Sequence, residues 1–168
     1  HEQLCTMIRT TTFPPEYKTW MAMLAMKPGE DARELTRRRD LWIVCHGQKL
    51  IMRMLQHEYT RVADRTVPVS QAGYAPGRNA PEHVLVLRLA QEQAMLEGKM
   101  LCVGYQDMGQ FFMSCVRTVQ RECEDWLGVD VAVSRVVAAL QHEVKGQYET
   151  EHGLTPEFDI RNGNGQGC

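Results

Sequence analysis

The sequence has no CxxC pair, no low-complexity tract, no block of like charge and no internal repeat. Its six cysteines (5, 45, 102, 115, 123 and 168) stand mostly among apolar residues. That pattern reads as reduced core thiols in an intracellular, reducing compartment rather than as disulfides or zinc ligands. Cys45-His46 and the pair His142 and His152 make no zinc spacing either. Long hydrophobic runs are missing too: one of the longest, Val84 to Ala90, is interrupted by Arg88 and is far short of a membrane span. The expectation is a soluble protein with no membrane partner. There is no initiator methionine and no signal-peptide pattern at His1, and the chain stops inside a glycine-rich turn, so it is expected to be a fragment.

What is present is ordinary for a globular chain. With 43% hydrophobic and 24% charged residues over 168 positions, it can bury a core and suits one domain or a large part of one. Charge is unevenly divided. Residues 1–78 hold 12 Lys/Arg against 8 Asp/Glu, a balance of +4, whereas residues 79–168 hold 7 against 13, a balance of −6. A basic front and an acidic back suit a protein that grips phosphates at one end and metal ions at the other; random variation in charge is the bland alternative.

The residue pattern predicts an irregular lead-in over 1–19, where Thr10-Thr11-Thr12 and Pro14-Pro15 stand, then a strand from Trp20 to Met26 entering the Lys27-Pro28-Gly29 turn. Helical spacing of Leu50, Ile51, Met54, Leu55, Glu58 and Val62 predicts a helix from about 47 to 63. A second helix opens near Pro81, with Val84, Leu87, Gln91 and Ala94 on one face, and closes at Gly98. Met100 to Tyr105 reads as a short buried strand leading to Asp107. Phe112, Cys115, Val116, Val119, Cys123 and Trp126 mark one face of a helix that ends at Gly128. Asp130 then caps a helix with Val133, Val136, Val137, Leu140 and Val144 inward and Gly146 closing it. Finally, 147–151 and 155–161 read as a hairpin that feeds the loop from Gly163 to Gly167. The fold class is α+β.

Two segments carry most of the functional signal. Val103-Gly104-Tyr105-Gln106-Asp107 is an apolar run ending in a carboxylate, followed by the aromatic pair Phe111-Phe112, and Gly163-Asn164-Gly165-Gln166-Gly167 is a glycine-rich turn around one glutamine. A carboxylate at a strand end is held rigidly, and hard cations take oxygen ligands on such a frame. In order along the chain stand Lys27-Pro28-Gly29, Arg39-Asp40-Leu41, the Gln48-Lys49-Leu50-Ile51 helix, Gln71-Ala72-Gly73-Tyr74-Ala75-Pro76-Gly77-Arg78, the helix from Pro81, the Asp107 segment and Gln166-Gly167. That order resembles the front half of a reverse transcriptase of the non-LTR retrotransposon type, over roughly residues 20 to 168.

The resemblance implies fingers over about 20–98 and the start of a palm over about 99–168, truncated before the catalytic Tyr-x-Asp-Asp hairpin. It implies Asp107 as the first metal-binding aspartate, and Lys27 and Arg39 as grips on the triphosphate, with Arg37 or Arg38 able to replace Arg39. Phe112 would lie under the sugar and exclude a ribose 2′-hydroxyl; Gln166 and Gly167 would meet the incoming nucleotide and the template strand. The implied partners are an RNA template, a DNA primer and dNTPs, and the implied cofactor is Mg²⁺ (or Mn²⁺), in the complete protein only. Structural alternatives stand beside each role: Asp107 as a helix cap, Phe112 as core, Gln166 in a plain polar loop, Lys27 and Arg39 in a solvated loop.

Several positions depart from the family pattern. Met113 stands where a second aspartate is usual, Phe111 where alanine precedes the aromatic, and Asp40 where proline follows the finger arginine. No Tyr-x-Asp-Asp follows, so two-metal catalysis cannot be assembled from these 168 residues and the fragment is expected to be inactive by itself. A decayed or repurposed copy that keeps only nucleic-acid binding is the second reading. A helical interaction domain of other ancestry is the third.

Overall fold

An unbroken apolar run makes Thr19–Ala25 (β1) a strand with one buried face: Trp20 and Ala22 are buried while Met21 and Met23, on the opposite face, are exposed. The computed structural model describes residues 2–25, 38–73, 75, 77–109 and 111–164. Within these the chain is mixed α+β. Contacts divide it into two compact units, His1–His57 with Gln110–Cys168, and Glu58–Gly109.

The first unit is built on a sheet of five strands. β1 pairs antiparallel with Arg39–Ile43 (β2), in the register Ala25 opposite Arg39 and Met21 opposite Ile43. On its other side β1 pairs in parallel with Val144–Thr150 (β3), Trp20 opposite Gly146. The far edge of β3 is shared by Gly153–Leu154 (β4) and Phe158–Ile160 (β5), both antiparallel. Trp20, Ala22, Trp42, Val44, Val144 and Ile160 form one cluster on the sheet, with Met113 and Tyr148 packed against it. Trp42 makes edge or tilted ring contacts with Trp20, Tyr148 and Phe158. Burying a side chain of this class is worth about 1.5–3 kcal/mol.

A second cluster joins helices. Phe13, Ile51, Val136 and Leu140 are buried together, and Leu4, Met7, Ile8 and Leu55 pack onto them. Leu4, Met7 and Ile8 belong to Glu2–Thr10 (α1), so the expected irregular lead-in is corrected to a helix followed by a 3-10 turn at Pro15–Tyr17. Their i, i+3, i+4 spacing gave α1 an apolar stripe, and the threonines close the helix instead of preventing it: Thr11 turns the chain at φ 52°. The helix expected over 47–63 is observed as His46–Thr66 (α2).

The second unit comprises the remainder of α2, the loop after it, Ala80–Leu96 (α3) and the stretch 97–109. α3 opens as expected. Asn79 Oδ1 accepts from the Glu82 backbone N–H at 3.1 Å while its amide donates to Glu82 Oε1 at 2.8 Å, a reciprocal cap, and Gly98 follows at φ 61°. Arg78 braces the preceding loop by donating to the carbonyls of Gln71 and Val67. The strand expected at 100–105 is not formed: the stretch has no regular structure and is exposed. A strand exists only against a partner ladder, and among the described residues nothing pairs with it.

Back in the first unit, the helix expected to run unbroken to Gly128 is two helices, Phe111–Ser114 (α4) and Arg117–Leu127 (α5), with Gly128 ending the second at φ 77°. Val131–Gln141 (α6) is capped by Asp130, whose Oδ1 accepts from Ala132 N at 2.7 Å, as its position implied. α6 stops at Gln141, not at Gly146. Glu143 reverses the chain at φ 55°, and Val144 and Gly146 open β3, so the hairpin expected from 147 begins three residues earlier. No helix of the described residues is long and apolar enough to cross a membrane.

Candidate functional site

The break between α4 and α5 has a tertiary cause. Gly163 N–H donates to Cys115 O at 2.8 Å and Asn164 N–H donates to Phe112 O at 2.7 Å. In a continuous helix those two carbonyls would take N–H groups four residues on, so the 162–164 turn replaces the helix's own ladder. Gly163 is buried with φ 86°, and a Cβ on it would lie 2.6 Å from Met113 O and 2.7 Å from Met113 Cα. Only glycine permits this approach.

A chain of side-chain bonds secures the same turn. Arg117, at the start of α5, donates from Nε to Gly163 O at 3.3 Å and from Nη1 to Gln141 O at the end of α6. Its guanidinium lies over the Trp20 ring, 5.8 Å from the centroid. Gln141 Nε2 donates to Asn164 Oδ1 at 2.8 Å, and Asn164 Nδ2 donates to Gln120 Oε1 at 3.1 Å. Gln120 Nε2 reaches Glu124 Oε1 at 2.9 Å, and Ser134 Oγ donates to Glu124 Oε2 at 2.6 Å. Arg117, Glu124 and Ser134 are buried. Burial draws the Arg117 pKa below the usual guanidinium value, though arginine stays charged.

This network corrects the expected apolar face of the 112–126 helix. Val119 and Trp126 are exposed, at 54% and 85%, and the buried positions of α5 are Arg117 and Glu124. Sequence periodicity weighs residues by hydropathy, so it could not find two charged residues whose burial is supported by hydrogen bonds from remote segments. One signal was present: Asn164 stands between two glycines, in a turn already singled out.

The sequence-predicted site residues are distributed as follows. Phe112 is half-buried on α4 and meets Phe111 edge-on, ring centroids 5.8 Å apart. Arg39 is exposed at the start of β2, directly opposite Ala25, which stands two positions before Lys27 in sequence. Asp40 is half-buried and accepts the hydroxyl of Tyr148. Asp107 is exposed in the irregular stretch of the second unit. Lys27, Gln166 and Gly167 lie outside the described residues. Among the described residues no group of three His, Cys, Asp or Glu side chains gathers to hold a metal ion. Among the described residues Cys5, Cys45, Cys102, Cys115 and Cys123 form no disulfide, but none of them is buried, so the expected core placement is corrected.

What the arrangement can do is hold a backbone turn rigidly against the helix that carries Phe112. Phe112 of the aromatic pair and the segment Gly163-Asn164, which opens the glycine-rich turn, are thereby joined by a direct backbone hydrogen bond. No family model matches the chain, and no curated protein matches it.

Proposed function

We propose that this chain is the fingers and the first part of the palm of an RNA-directed DNA polymerase of the non-LTR retrotransposon type. The observation that carries the reading is the bonding of Gly163 and Asn164 to the Phe112 and Cys115 carbonyls, because the family order places a sugar-sensing aromatic and a nucleotide-contacting glutamine turn in these two segments. A binding site needs both parts held in one frame; Gly163 and Asn164, at the start of the turn, are held to α4 with a buried arginine and a glycine that no other residue can replace. In the complete protein Asp107 would hold Mg²⁺, Lys27 and Arg39 the triphosphate, Phe112 the sugar, and Gln166 with Gly167 the nucleotide and template. The primer hydroxyl would attack the α-phosphorus and release pyrophosphate. The decisive test is primer extension on an RNA template by the full open reading frame that encodes this chain. Extension that Asp107→Ala lowers at least a hundredfold supports the reading; extension unchanged by that substitution refutes it.

A second reading, a non-catalytic copy that keeps nucleic-acid binding, is favoured by Met113. At a position where the family usually has a carboxylate, Met113 packs on the sheet cluster and forms the floor under Gly163. Salt-dependent binding of template-primer without extension, in the same full reading frame, identifies this case.

A further inference from the structure

Two Asn-Gly pairs follow one another at the turn, Asn162-Gly163 and Asn164-Gly165. Asparagine is chemically labile, and most so before glycine, where no Cβ keeps the next backbone nitrogen from the side chain. Once that N–H has lost its proton to water or hydroxide, the nitrogen bonds to the asparagine Cγ, the Cγ–Nδ2 bond breaks and ammonia leaves. Water then opens the cyclic imide. Cleavage at Cγ leaves aspartate; cleavage at the main-chain carbonyl leaves isoaspartate, whose backbone runs through Cβ and Cγ and is longer by a carbon. Water is the only co-reactant, and nothing is oxidised or reduced.

The fold withholds one reactant of each pair. Asn162 is exposed and its side chain makes no bond among the described residues, but Gly163 is buried and its N–H, the nucleophile, is taken by Cys115 O at 2.8 Å. At the second pair the electrophile is held. Asn164 Oδ1 accepts from Gln141 Nε2 at 2.8 Å and Nδ2 donates to Gln120 Oε1 at 3.1 Å, while the Asn164 backbone N–H donates to Phe112 O at 2.7 Å. All of these bonds exist only while the turn sits against α4, α5 and α6, so one local opening frees both pairs.

We propose that this turn is a deamidation site gated by its own docking: seated it is protected, and released it is converted, through isoaspartate at 162 or an acid at 164, to a form that no longer seats. The products account for the single direction. The imide at 162 has no N–H for Cys115 O, and isoaspartate lengthens the chain next to Gly163, where even an added Cβ would stand 2.6–2.9 Å from Met113 atoms. An acid at 164 replaces the donor to Gln120 with an acceptor. Gln120 Nε2 already serves Glu124 Oε1, so whichever way the Gln120 amide is turned, one acceptor must face a carboxylate. Only ordinary aspartate at 162 leaves the seat intact. The inference stands on the bonds of the turn and does not require the polymerase reading.

The whole 168-residue chain is incubated at neutral pH, folded and in urea, and aspartate and isoaspartate at 162 and 164 are counted by mass spectrometry of its peptides. Folding should slow both conversions about tenfold or more. Gln141→Leu removes the donor to Asn164 Oδ1 but keeps the carbonyl that Arg117 uses, and should speed both conversions in the folded chain about threefold or more. Arg135→Ala, an exposed change on the same helix, should alter neither. Circular dichroism checks that the variants fold, and the comparison of folded with urea-unfolded parent needs no variant. Chains carrying isoaspartate at 162 or an acid at 164, separated from fresh chain, should have lost hydrogen-exchange protection at the 163 and 164 amides. Equal rates in the folded and unfolded parent, acceleration at 164 alone by Gln141→Leu, equal acceleration by Arg135→Ala, or retained protection in the converted chains would each overturn the proposal.

Discussion

Gly163→Ala is the sharpest test of how the 162–164 turn is joined to α4. Placing an L-residue at φ 86° costs about 1–2 kcal/mol. The new Cβ would stand 2.6–2.9 Å from Met113 backbone atoms, which cannot rotate away as a side chain could, so the turn must withdraw. Withdrawal breaks the bonds from Gly163 N–H to Cys115 O and from Asn164 N–H to Phe112 O, each worth about 1 kcal/mol net. The expected loss is therefore about 3–4 kcal/mol, a large part of a typical domain's stability. Gly128→Ala is the matched control: its φ is 77°, but nothing lies within 4 Å of the added carbon, so only the conformational cost of about 1–2 kcal/mol applies. Urea unfolding followed by the fluorescence of buried Trp20 and Trp42 measures both variants. If the two substitutions cost the same within about 0.5 kcal/mol, the close approach of the turn to α4 is wrong.

Leu140→Ala, at a position only 1% exposed in the helical cluster, should cost about 2–5 kcal/mol in the same assay, whereas truncation of exposed Trp126 should cost little. Asp130→Ala removes the acceptor for Ala132 N–H and should cost about 1 kcal/mol, with Asp130→Asn recovering most of it. Tyr148 should ionise above the usual tyrosine pKa, because burial comes first and the Asp40 carboxylate, which accepts its hydroxyl, comes next. A group raised on folding adds stability below its unfolded pKa and loses it as pH rises through the folded value. Alkaline unfolding should therefore track Tyr148 ionisation, read by absorbance, and Asp40→Asn should bring that ionisation down in pH; an unchanged titration would refute the contact.

Periodic hydropathy made α2, α3 and α6 legible at their starts, because their caps and breakers are local: Pro81 and Gly98 about α3, Asp130 before α6. β1 was legible for the same reason, an apolar run entering the Lys27-Pro28-Gly29 turn requiring only neighbours in sequence. The lead-in was misread because Thr and Pro residues outweighed three apolar positions whose partners, Ile51 and Leu140, are remote. The segment before Asp107 was misread in the opposite direction: apolar residues with β propensity do not make a strand without a ladder.

Composition, local turn chemistry and motif order were thus determined by the sequence by itself, since each depends on residues a few positions apart. The parallel pairing of β1 with β3, the interruption between α4 and α5, and the burial of Arg117 and Glu124 were decided only by the tertiary structure. Each arises from bonds between segments that are distant along the chain, such as Arg117 with Gly163 and Ser134 with Glu124. A charged side chain is stable inside a protein only when those bonds exist, and no local window of sequence contains both partners.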